Sequence, residues 1–261
     1  MARGHDLRSH CADRPREPQG GRRGVSPRYK ALVAGHDWSG KVAFDVGCGS
    51  GAGTLLLAGL GARAVGIDID PEVIALAASR AEEDGLASAK FLCADAESRD
   101  WKRLAKAPGG LDGVTAHLCF SPEIAKRAAG ALKPGGFLIV RSFEKRMWKE
   151  AGGSSPFALS PSELRGLLRG LGFTLTHLEV ERRTQRFPSF AAFESDFLEQ
   201  PERRARWEED GRLATLRQSF ERGDRKLTES FLVFEARKRK PSAGSRRGGR
   251  KPVRRRRRAP S

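Results

Sequence analysis

The stretch that most constrains this chain is a glycine loop, Phe44-Asp45-Val46-Gly47-Cys48-Gly49-Ser50-Gly51, set between an apolar run and an apolar helical pattern over residues 52–60. Alternating glycines let the backbone turn sharply and let a ligand approach it closely. Such a loop opens a strand-to-helix unit, and open α/β sheets bind ligands beyond the carboxyl ends of their strands. The alternation then repeats, with strand-like runs at 42–46, 64–67, 89–93, 113–118 and 137–143. Asp70-Pro71, Ser121-Pro122 and the capping box Ser160-Pro161-Ser162-Glu163 each mark a helix start. The polar side chain accepts from an orphan N–H, and proline presets the first helical φ. The pattern predicts an α/β fold: a Rossmann-like open sheet, mainly parallel, with helices on both faces. Strand patterns at 173–182 and 227–236 flank helical patterns at 189–198 and 201–222. They predict an antiparallel final strand and a helical insertion at about 186–226.

Charge divides the chain. Of a net charge of +17, residues 237–261 hold 13 Lys/Arg and no acid, and residues 1–24 hold six Arg against three acids. The body between them is left near neutral, so basicity belongs to the ends. Like charges that dense repel, with little apolar surface to offset the cost of ordering. Disordered segments are expected at 1–24 and 238–261, around a folded domain at 25–237. The four cysteines, Cys11, Cys48, Cys93 and Cys119, form no CxxC pair. That spacing speaks against a metal site or a disulfide framework and for a reducing, cytoplasmic setting. No run approaches the roughly 20 apolar residues of a membrane span, and no apolar leader stands at the N-terminus.

Two ligands compete for the loop. Gly47-x-Gly49-x-x-Ala52, with Asp68 downstream, satisfies a dinucleotide fingerprint. Asp45 argues the other way, since a carboxylate beside a pyrophosphate repels it and suits a cation. Asp45, Asp68 and Asp95 stand near the ends of successive strands and are expected along one sheet edge. Asp70 and Asp112 read as caps or solvated turns.

These residues carry a resemblance to the class I S-adenosylmethionine-dependent methyltransferases over roughly residues 41–145. The segment 45–51 is similar to the family's first motif, which implies that Asp45, Gly47, Gly49 and Gly51 cradle the methionine part of S-adenosyl-L-methionine. Gly66-Ile67-Asp68-Ile69-Asp70 resembles the end of the second strand. The resemblance implies that Asp68 takes the ribose hydroxyls and Ile69 packs on adenine. Phe91-Leu92-Cys93-Ala94-Asp95-Ala96-Glu97 resembles the third strand's end, implying that Asp95 accepts from the adenine amino group and Ala96 gives a backbone contact. Residues 132–140 match the turn into the fifth strand.

A sulfonium methyl is already activated, so the enzyme must mainly align the reactants and exclude water. The acceptor end is therefore the least diagnostic. His117, at the end of the fourth strand, is the candidate catalytic base; a histidine held by strand-end hydrogen bonds is the simpler reading. Cys119 reads as a buried thiol. Arg141 and Glu144, near the end of the fifth strand, are candidates for lining the pocket, and surface positions explain them as well; Tyr29 is a candidate cover from an N-terminal helix, and Phe187, Phe190, Phe193 and Phe197 read as core before lid. The expected acceptor is a small molecule. An RNA- or ribosome-associated role through the basic tail is the alternative, and non-specific nucleic acid is a candidate partner of the tail.

Overall fold

A computed structural model describes residues 25–153 and 157–240. Helix α1 (Pro27–Ala34) precedes β1 (Val42–Val46), α2 (Ala52–Gly59), β2 (Arg63–Asp68), α3 (Pro71–Glu83) and β3 (Ala89–Cys93). The chain continues through α4 (Trp101–Leu104), β4 (Leu111–His117), α5 (Pro122–Ala131), β5 (Leu132–Phe143), α6 (Pro161–Gly170) and β6 (Phe173–Arg186). It closes with α7 (Phe190–Phe197), α8 (Pro201–Glu209), α9 (Arg212–Glu221) and β7 (Lys226–Lys238).

The seven strands form one sheet in the order β3-β2-β1-β4-β5-β7-β6. Pairings from β3 through β5 are parallel, and β7 runs antiparallel to both neighbours. The expected Rossmann-like architecture is the observed one. The order reverses between β1 and β4, which puts the switch point beside the glycine loop. The central strands are buried on both faces because helices cover both. One face packs Phe44, Val46, Val114, Leu138 and Phe234 against α5 and α6. The opposite face packs Ala43, Ala64 and Ile139 beneath Tyr29, Val33 and Leu57 of α1 and α2.

The sequence signals act locally as expected. Asp70 Oδ1 accepts from Glu72 N at 2.9 Å, Ser121 Oγ from Ile124 N at 3.1 Å, and Ser160 and Glu163 form the reciprocal box. The single helical pattern at 201–222 is two helices, broken at Gly211 with φ +79°. The Pro134-Gly135-Gly136 turn becomes an irregular entry to β5, where pairing jumps from Leu111–Leu132 to Gly113–Phe137. The start of the predicted tail also moves. Lys238 pairs with Phe173 in the sheet, and Arg239 N donates to Gly172 O at 2.9 Å. The predicted disorder at 1–24 and at 241–261 lies outside the described residues.

Helices α7 to α9 sit between β6 and β7, and beyond the end of β5 the last residues of β6 pair with the first of β7. Their apolar faces make a second core. Phe193, Leu216 and Trp207 are at most 1% exposed, and Phe187 and Phe220 are buried around them. Phe193 stacks on Phe197 with centroids 5.4 Å apart and lies 5.9 Å from the Trp207 ring. The phenylalanine stripe is thus packing.

Candidate active site

The glycine loop leaves β1 through three left-handed residues, Gly47 (φ +62°), Gly49 (φ +52°) and Gly51 (φ +94°). A side chain at any of them carries the left-handed penalty, roughly 1–2 kcal/mol each. Cys48 N donates to Ile67 O at 3.0 Å, and Gly49 N donates to Asp68 Oδ2 at 2.9 Å. The loop is therefore stitched to the end of β2.

Beside it lies an open cleft of about 340 Å³, counting the solvent space at its mouth. Gly47, Asp68, Ile69, Asp95 and Ala96 all border it, together with Glu97. Ile67, Ala94, Cys119 and Ile124 supply apolar walls. Two parallel strand ends and the loop thus bring five of the nominated residues to one place. Gly49 and Gly51 shape the loop without bordering the cleft. Asp68 is held by Gly49 N and by Asp70 N at 3.3 Å. Asp95 Oδ1 accepts from Glu97 N at 2.8 Å in an Asx turn, and the Ala96 carbonyl accepts from Trp101 Nε1 at 2.8 Å. Ser121 Oγ donates to Glu97 Oε1 at 2.5 Å, tying α5 to the same rim. Glu97, Cys119 and Ile124 were not singled out as ligand-facing from sequence. Their one available signal was position, just past a strand end or in the first turn of the helix that Ser121 caps.

Asp45 stands apart from this cleft and does not border it. It is 2% exposed, with Oδ2 accepting from Thr54 Oγ1 at 2.8 Å and Oδ1 from Thr115 Oγ1 at 2.9 Å. A Cβ on Gly53 would lie 2.7 Å from Oδ2. The reason is strand alternation. Phe44 and Val46 face the core under α5 and α6, so Asp45 points the other way, behind the loop. It clamps α2 to β4 rather than joining the row of carboxylates at the cleft.

The acceptor end is also rearranged. His117 is half-buried, its Nε2 accepts from Ser26 N at 3.3 Å, and its ring lies 5.1 Å from that of Tyr29. It does not border the cleft. Tyr29 is 1% exposed and covers His117 from α1. Burial, then the charge of Asp45, holds its phenol well above the ordinary tyrosine range, opposed by Thr115. Leu118, next in the chain, takes φ +64°, a conformation leucine adopts only under tertiary constraint. Arg141 stacks on Phe231 at 3.4 Å from the centroid, and its Nε donates to Glu181 Oε2 at 2.8 Å. Desolvation lowers the Arg141 pKa, and Glu181 opposes that shift. Glu144 accepts from Ser230 Oγ at 2.8 Å. Arg141 and Glu144 tie β5 to β6 and β7; they do not border the cleft.

The cleft's lining tests the two ligands. Asp68, Asp95 and Glu97 bring three carboxylates to it, and among the described residues no lysine or arginine borders it. A pyrophosphate would face carboxylates without a cation to offset it. An uncharged adenosine with hydroxyl and amino donors, attached to a cationic sulfonium, matches the acceptors and the apolar walls.

Comparison with known proteins agrees. Residues 43–136 match the family described as "Methyltransferase domain". The chain is 32% identical over 114 residues to a ubiquinone biosynthesis O-methyltransferase of Burkholderia orbicola, covering 42% of this chain and 47% of that one. It is 39% identical over 108 residues to a ribosomal protein L11 methyltransferase of Pelotomaculum thermopropionicum, covering 39% and 32%. The chain thus spans about half or less of the curated relatives it matches. Among solved structures, the [4+2]-cyclase SpnF superposes with a TM-score of 0.58 at 24% identity, covering 82% of this chain and 81% of that one. That likeness shows the fold alone, and a cyclase on this fold illustrates that architecture does not assign a reaction.

Proposed function

We propose that this chain, whose residues 43–136 match a methyltransferase-domain family, is a class I S-adenosylmethionine-dependent methyltransferase that transfers the cofactor's methyl group to a small-molecule acceptor. The bound cofactor supplies a sulfonium whose methyl is activated without acid or base. The protein's task is to hold it, align the acceptor and exclude water. Asp68 accepts from the ribose hydroxyls, Ile69 packs against the adenine, and Asp95 with Ala96 engages the adenine edge. Gly47, Gly49 and Gly51 leave room at the loop for the methionine portion. Asp45 acts from behind, by fixing α2 and β4.

One observation carries the choice of a small acceptor over a nucleic acid. Among the described residues, the cleft is bordered by three carboxylates and no cation, a lining that repels a phosphate backbone approaching the methyl donor. The alternative, an RNA- or ribosome-associated enzyme, draws on the basic tail and on the relatives named as ribosomal protein L11 methyltransferases. His117 remains the candidate base for an acceptor whose nucleophile keeps its proton. Its Nε2 must first be released by Ser26 N–H, so the reading requires α1 to move.

The test is incubation with methyl-labelled cofactor and two acceptor sets: small phenols, thiols and amines, and separately ribosomal protein and RNA. Label is expected in a small product, with cofactor turnover lowered more than cofactor affinity by His117→Ala. Label confined to the macromolecular set would overturn the assignment. A fully active His117→Ala variant would leave that histidine structural.

A further inference from the structure

The antiparallel course of β7 has a topological result. Strands β1 to β5 run toward the cofactor cleft, so β7 runs away from it and ends, at Lys238, at the opposite end of the sheet. Six cations gather there: Lys133, Arg169, Arg237, Lys238, Arg239 and Lys240. Arg239 Nη2 donates to Arg169 O at 2.9 Å, and Lys238 Nζ to Leu171 O at 3.3 Å. The Lys240 side chain reaches within 3.7 Å of where a Cβ on Gly135 would stand. Among these six, the carboxylate partners are Asp112, with Lys133, and Glu235, with Arg237. Arg169, Arg237, Arg239 and Lys240 are exposed. Residues 241–261 then add nine Lys/Arg and no acid.

We infer that this end of the domain is a docking surface for nucleic acid, spatially separate from the methyl-transfer cleft. The chemistry of the segment favours phosphates over a lipid surface. Eight of its nine cations are arginines, and Val253 is its one large apolar residue. Guanidinium groups bind phosphate oxygens in bidentate fashion, whereas an interfacial helix needs an apolar face. The charge is also polarised: carboxylates border the cleft and cations stand at the far end. A polyanion is drawn to one end and repelled at the other. Nucleic acid bound there anchors the protein without filling the cleft.

The experiment uses the full chain and a labelled 20-nucleotide single-stranded RNA, titrated by fluorescence anisotropy at stepped salt. Each phosphate contact contributes about 0.7 to the log–log salt slope on single strands. The double variant Arg169→Glu/Lys240→Glu should lower the slope by at least about 1.4 and weaken binding by more than roughly 25-fold near 0.1 M salt. The neutral pair Arg169→Gln/Lys240→Gln should show the same direction with a smaller loss, which guards against a folding defect in the charge-reversed protein. Affinity for S-adenosylmethionine, measured by calorimetry, should be equal with and without RNA. Wild-type RNA affinity in both variants would overturn the proposal by giving the binding to the C-terminal segment alone. Competition between RNA and cofactor, or equal affinity for anionic phospholipid vesicles, would overturn it as well.

Discussion

Replacing Asp68 with alanine removes a carboxylate that does two jobs at once. Its Oδ2 accepts from Gly49 N at 2.9 Å and its Oδ1 from Asp70 N at 3.3 Å, and the residue borders the cleft while only 5% exposed. Hydrogen bonds to a charged acceptor contribute about 1.5–3 kcal/mol each. The ribose interaction alone is therefore expected to be worth about 1–3 kcal/mol, or roughly 5- to 150-fold in the cofactor dissociation constant. Loss of the tie to Gly49 loosens the loop and adds to the deficit, because Gly47 and Gly49 are held left-handed by their surroundings. Asp68→Asn keeps one acceptor oxygen and should fall between wild type and alanine. Calorimetric titration with S-adenosylmethionine measures the affinity, and thermal unfolding of the unliganded protein separates a loop defect from a lost ligand contact. Wild-type affinity in Asp68→Ala, with wild-type stability, would refute both the ribose role and the view of the loop as stitched through this side chain.

Asp45→Ala leaves the Thr54 and Thr115 hydroxyls buried without their acceptor and should cost about 2–5 kcal/mol of stability, read from denaturant unfolding; Asp45→Asn should cost less, and an affinity loss at unchanged stability would restore Asp45 to direct ligand contact. Phe193→Ala opens a cavity among Phe187, Phe197, Trp207 and Phe220 and should lower stability by about 3–5 kcal/mol, with cofactor affinity unchanged; a loss of affinity at retained stability would instead make the stripe a lid. The Glu163 carboxyl is held down to about 2, chiefly by Lys145 and then by Ser160. A depressed carboxylate adds stability above its ordinary titration range, and that contribution is lost as pH falls toward about 2. Fraying at the start of α6 should therefore appear only in strong acid, with the Glu163 resonance titrating near 2; a midpoint at the ordinary carboxylate value would contradict the box and the ion pair together.

Much of this molecule was legible before any coordinates. Strand periodicity, proline-led helix starts and the three glycines depend on a few consecutive residues, so β1, β3 and the helices opened by Asp70, Ser121 and Ser160 stand where local chemistry puts them. Asp68, Ile69, Asp95 and Ala96 were also legible, because a residue at the end of a parallel strand is delivered to the sheet edge whatever its neighbours do. The direction of Asp45 was not. One position inside a strand end sets a side chain on a face, and what lies on that face is a matter of tertiary packing: here α2 and β4, with Thr54 and Thr115 separated from it by 9 and 70 residues. His117 shows the same limit. Its cover, Ser26 and Tyr29, comes from a helix about 90 residues earlier, and the left-handed turn at Leu118 leaves no mark in residue type. The sequence by itself determined the elements, the binding loop and the strand-end acids, since these follow from backbone propensity and alternation. Tertiary structure decided which polar groups face the cleft and which are consumed in holding it, because burial and hydrogen-bond partners are set by segments distant in the chain.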